Sequence, residues 1–129
     1  MSTIQNLLYS ACENGHSKGV IETLAKGANP AGLEDYALHL ACENGNWDTI
    51  QTLVNHGASL RDVFYFSVEA GNIMNVQRVF KMSGLTGELI DECYELAQYD
   101  NDTEMMNYLK TIGAKPMKRK QFNLLKMRR

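Results

Sequence analysis

The chain has 129 residues, 44% hydrophobic and 22% charged, with a formal net charge of −2. That composition is ordinary for a globular protein long enough to bury a core, and it excludes disordered or collagen-like classes. No apolar run approaches the ~18 residues of a membrane span, and the first residues lack the basic and apolar regions of a secretory leader, so no membrane association is expected.

Charge and cysteine usage narrow the classes further. Residues 1–114 carry six basic residues against fifteen acids, while residues 115–129 carry seven basic residues and no acid. The body is therefore acidic and the C-terminal stretch basic, and the two can face different partners or each other. The three cysteines (Cys12, Cys42, Cys93) are an odd number without metal-ligand spacing, which suits small core fillers in a reducing cytoplasmic compartment.

In chain order, the first recognisable element is Ala11-Cys12-Glu13-Asn14-Gly15, and it returns at Ala41-Cys42-Glu43-Asn44-Gly45. A third copy places Glu69 and Gly71 in the same register, and a fourth places Asn101 at the first glycine position and Gly113 at the second. The register steps are 30, 26 and 30 residues, giving four units at about 3–30, 33–60, 61–86 and 88–115 within one domain.

Each unit has the pattern of two helices. In the second unit Leu38, Ala41 and Cys42 form an i, i+3, i+4 stripe that predicts a short helix over about 35–44, with Asp35 placed to cap it. Gly45 ends that helix, and Asn101 fits the same role because asparagine is the next best residue in the left-handed conformation. A second helix over about 47–55 should bury Ile50, Leu53 and Val54 and stop at Gly57. The matching core residues are Val20, Ile21 and Leu24 in the first unit, Val76, Val79 and Phe80 in the third, and Met106, Leu109 and Ile112 in the fourth. No stretch alternates as a strand would, so the fold is expected to be all-α, its stability a sum of unit and nearest-neighbour terms.

The segment Tyr36-Ala37-Leu38-His39-Leu40-Ala41-Cys42, with Gly45-Asn46 and Gly57-Ala58 after it, resembles an ankyrin repeat. In the first unit Gly15-His16 keeps the family's dipeptide. The resemblance implies a helix-turn-helix solenoid of about four repeats that acts as a non-enzymatic protein-binding module through the concave surface of its inner helices. It also implies a structural role for His39, whose positions in the other units hold Tyr9, Tyr65 and Glu95. The units are shorter than the family's ~33 residues. The missing residues fall between Gly27 and Tyr36 and between Gly57 and Asp62, so the projecting β-turn fingers should be short or absent. The 30-residue step is similar to repeats of large DNA viruses, implying a viral protein directed at a host protein.

The candidate chemistry is interaction, not catalysis. The three histidines and three cysteines do not present a converging metal set, no phosphate loop or nucleophile motif is present, and neither cofactor nor metal is expected. Glu13, Glu43 and Glu69 share one register position and would stack as an acidic ladder, with Tyr99 on the fourth rung. Together with Asn14, Glu34, Asp35, Tyr36, Asn44, Asp62 and Tyr65 they outline either a groove for a basic protein partner or a solvated face. Trp47 is either an interface anchor or partly buried packing.

Residues 116–129 have two readings. Met117, Phe122, Leu124 and Leu125 suit a C-terminal capping helix, whereas Lys118, Arg119, Lys120, Lys126, Arg128 and Arg129 suit a basic arm for nucleic acid. A further alternative is an acidic body that competes with nucleic acid for a basic protein. Monomer and weak homo-oligomer are both compatible with such an array.

Overall fold

In a computed structural model of the chain, the described residues are 3–83 and 87–115. They form eight helices: α1 (Ile4–Glu13), α2 (Ser17–Ala25), α3 (Gly32–Asn44), α4 (Trp47–Asn55), α5 (Leu60–Glu69), α6 (Ile73–Ser83), α7 (Glu88–Tyr99) and α8 (Thr103–Thr111). No strand occurs among the described residues. The proposed capping helix or basic arm at 116–129 lies outside them.

Consecutive helices pair as antiparallel hairpins, and the pairs stack. The odd-numbered helices α1, α3, α5 and α7 pack side by side as an inner layer, while α2 and α4 meet in the outer layer. The helix-to-helix turn is the same in each unit because one residue enters the left-handed region: Gly45 at φ 82° in the second unit and Asn101 at φ 58° in the fourth. In the second, third and fourth units the side chain of the residue that follows caps the next helix, whereas His16 in the first makes no such bond. Asn46, Asn72 and Asp102 accept the N–H of Thr49, Asn75 and Met105 respectively, each bond worth about 1 kcal/mol.

The core is a set of register columns. Leu8, Leu38, Phe64 and Tyr94 occupy equivalent positions and are almost completely buried, each contributing about 1.5–3 kcal/mol relative to exposure. Val20, Ile50 and Val76 form a second column. The column Cys12, Cys42 and Val68 ends in the exposed Gln98, and the column Leu24, Val54 and Phe80 ends in the exposed Lys110, whose ammonium lies 5.7 Å from the Tyr94 ring centre.

Several expectations are corrected. Ile21 points outward, 53% exposed, and Thr23 takes the position of Leu53. Thr23 can be buried there because its hydroxyl donates to the backbone carbonyls of Gly19 and Val20. In α8, Met105 is buried where Met106 was expected, and Met106 and Ile112 are only partly covered, as are Val54 and Phe80. Asp35 does not cap α3. It sits at the end of a left-handed turn, Leu33-Glu34-Asp35, with φ of 53°, 53° and 65°, and the regular helix begins after it.

The connections before α3 and α5 are short, residues 26–31 and 56–59, and carry no β-finger. The first is tied by the Gln5 side chain, which accepts the Asn29 N–H at 2.8 Å and donates to the Asn29 carbonyl at 2.7 Å. The fourth unit repeats the device 24 residues apart, with Asp91 accepting the Lys115 N–H.

Candidate functional site

Helix stacking brings the register positions on the inner layer together. Glu13 and Glu43 are exposed, Glu69 is half-buried and Tyr99 is exposed. The acids do not form an unbroken ladder, because His39 stands between two of them. Its Nε2 lies 3.6 Å from Glu43 Oε1 on the same helix and 3.3 Å from Glu69 Oε1 on the next unit. His39 therefore bridges inner-face carboxylates, and its ring also lies 5.1 Å from Phe66, tilted by 55°.

An aromatic stripe runs beside these acids. Tyr9 and Tyr36 meet edge to face at 5.0 Å, and Tyr65 meets Phe66 the same way at 6.1 Å. Between stripe and acids lies a recess of about 340 Å³ lined by Leu33, Glu34, Tyr36, His39, Phe66 and Glu69. Leu33 is 74% exposed, an unusual state for leucine. Three successive left-handed residues, each costing about 1–2 kcal/mol, hold that turn out from the helix end.

The remaining candidate residues divide into those near this recess and those used by the scaffold. Asp35 and Asp62 are brought close. Burial first, and Asp35 second, hold the Asp62 carboxyl above its usual range against the pull of Arg61. Asn44 serves the stack: its amide donates to the Glu13 carbonyl, 31 residues earlier. Asn14 donates to the Ser10 carbonyl within its own helix end. Trp47 is half-buried against the core, with the Arg78 guanidinium 5.4 Å from its ring centre. The basic-tail residues lie outside the described region.

Three members of the recess were absent from the sequence-based set: Leu33, His39 and Phe66. Phe66 had a signal, since it is an aromatic at the position filled by the buried leucines Leu40 and Leu96. Leu33 had none.

A larger hollow of about 600 Å³ opens on the first unit along Ile4, Leu7, Ala11 and Gly19. The equivalent side of the second unit is the one that packs on the first, through Asn44, Asn46 and Thr49.

The cysteines lie apart from the recess. All three are free and buried. Burial pushes the Cys12 thiol up to about 12, and pushes Cys42 to about 12 with a further small rise from Asp62 against an opposing contact from Ser67. Cys93 is raised by the same cause. Thiols so far from ionising are poor nucleophiles and poor metal ligands. Among the described residues no group of three His, Cys, Asp or Glu side chains converges on one point. No helix among them is long and apolar enough to cross a membrane.

Residues 33–63 match the family model of the ankyrin repeat, a span that holds α3 from the left-handed turn onward, α4 and the first residues of α5. No curated protein matches the chain.

Proposed function

We propose that this chain, an all-α helix stack carrying an ankyrin repeat at residues 33–63, binds another protein through its inner-helix face and acts by occupying it. Ankyrin repeats are typically non-enzymatic modules for protein–protein interaction, and the stack supplies the rigid support such a surface needs. The observation that carries the finer reading is the inner-layer recess of Tyr36, His39, Phe66 and Glu69 with its acidic border. Exposed aromatic rings beside carboxylates are better suited to a partner with a basic contact surface than to solvent alone.

Occupancy would make the protein an inhibitor, adaptor or scaffold for that partner. The three buried, unpaired thiols support a reducing intracellular setting. The short repeat step supports extending the reading to a viral protein with a host target.

Affinity capture from cell lysate tests the reading. The wild type is compared with a variant carrying Glu13→Lys, Glu43→Lys and Glu69→Lys, all on the inner face, and with an outer-face control, Gln51→Lys. The inner-face variant should lose partners that the control retains. An unchanged partner set in both would remove the proposal.

A further inference from the structure

The recess on the inner layer has a size and lining that define what can enter it. At about 340 Å³ it lies at the small end of ligand clefts, which span ~300–1,000 Å³, so it fits one long side chain and not a folded element. Its walls are the rings of Tyr36, Phe66 and His39, and its polar groups are the carboxylates of Glu34 and Glu69. Neither lysine nor arginine lines it, and its one imidazole, His39, already faces Glu43 and Glu69. Ring faces and carboxylates share one preference, for positive charge.

Two features select among cations. The Glu69 carboxylate lies 3.3 Å from His39 Nε2, which also lies 3.6 Å from Glu43, so it stands beside the ring wall. Flat aromatic walls favour a flat, weakly hydrated cation that can stack and pair at once, as guanidinium does and a compact, strongly hydrated ammonium does not. Leu33, pushed out by its left-handed turn, adds an apolar lip beside the opening.

We infer that this recess receives the arginine side chain of a partner polypeptide. The guanidinium lies on the aromatic wall, pairs with Glu34 and Glu69, and sets an apolar neighbouring residue of the partner against Leu33. The inference rests on the interaction reading above and assigns it a chemical specificity.

Fluorescence anisotropy with labelled hexa-arginine amide and hexa-lysine amide, equal in charge, tests it. The arginine peptide should bind about tenfold tighter, because only it can stack. Tyr36→Leu and Phe66→Leu should each weaken the arginine peptide by about fivefold while leaving the lysine peptide unchanged, and Glu69→Gln should weaken both. Circular dichroism verifies that the variants remain helical. For the wild type, N-acetylarginine amide should shift the ring protons of Tyr36 and Phe66 in NMR spectra, and N-acetyllysine amide should not.

Equal affinity for the two peptides, insensitive to Tyr36 and Phe66, would reduce the recess to a diffuse acidic face and overturn the inference. So would absence of any binding at low salt. Partners that are lost in the triple lysine variant yet persist in excess hexa-arginine would leave the interaction reading standing and remove the arginine site alone.

Discussion

The Asn46 amide donates to the Gly15 carbonyl across 3.0 Å, joining the turn of the second unit to that of the first. The same side chain accepts the Thr49 N–H at 3.2 Å, so both ends of one amide are in use. In the third unit the work is divided: Asn72 caps the helix and the buried Asn75 reaches the Gly45 carbonyl at 3.1 Å. Asn46→Ala should therefore cost about 2 kcal/mol, the cap and the bridge together, whereas Asn46→Asp keeps the cap and should cost about 1 kcal/mol. Urea denaturation would measure both. An aspartate variant as stable as the wild type would show that the bridge contributes nothing.

Gly45 and Asn101 make opposite predictions at one register position. Gly45 has φ 82°, and an added Cβ would lie 2.7 Å from Asn72 Nδ2, so Gly45→Ala should cost about 1–2 kcal/mol or more. Asn101, at φ 58°, already tolerates the conformation, and Asn101→Gly should stabilise by up to about 1 kcal/mol. Thermal unfolding of the two variants should move in opposite directions.

Ser67 stands where the other three units have Ala11, Ala41 and Ala97. Its Oγ is buried without a hydrogen bond of ordinary geometry, its neighbour being the Cys42 thiol, a weak partner. Ser67→Ala removes the uncompensated hydroxyl and fits the column, and should raise stability by about 1 kcal/mol. A lower denaturation midpoint would mean that the hydroxyl has a stabilising partner.

The left-handed turn at Leu33-Glu34-Asp35 yields a prediction of unusual sign. Replacing an exposed leucine by glycine near a helix end normally destabilises. Here Leu33→Gly should raise the unfolding temperature, because glycine relieves about 1–2 kcal/mol of left-handed strain and little buried contact is lost. The variant should also bind hexa-arginine amide less tightly if the turn shapes the recess.

Burial holds the thiols of Cys12 and Cys42 from an ordinary 9.0 up to about 12. At about pH 8 the folded protein then holds only about one thiolate in ten thousand at either site, so labelling by a disulfide reagent should wait for unfolding. Between the ordinary value and about 12 the unfolded chain has lost protons that the folded one retains. Stability should therefore fall as pH rises above about 9, and denaturant midpoints across that window would check the sign.

The duplicated pentapeptide already contained the fold. A cysteine in the core column, an asparagine before the turn and a glycine beyond the helix end are local requirements, readable one unit at a time. The all-α class, the helix pairs and the left-handed role of Asn101 follow from them. So do the burial of Ile50, Leu53, Val76, Val79 and Leu109. Local pattern failed where a polar side chain could satisfy itself while buried. Ile21 fits an amphipathic stripe, yet Thr23 faces the core because it can bond its own helix backbone.

The candidate face was legible only in part. Glu13, Glu43 and Glu69 share a register position, so their presence on one layer followed from the repeat alone. That His39 would bridge Glu43 and Glu69 did not follow, since it depends on two helices lying within reach of one imidazole. The recess required still more: the outward Leu33, the tilt of Phe66 on His39, and a turn that no residue-level preference favours.

By itself, the sequence determined the secondary structure, the repeat and the sign of the charge along the inner layer. These are properties of spacing within 30 residues. Only the tertiary structure decided which side chains meet across units, which asparagines join turns and which carboxylates face aromatic rings. Those contacts join residues 27 to 32 positions apart, and their geometry is set by how one rigid helix pair seats on the next.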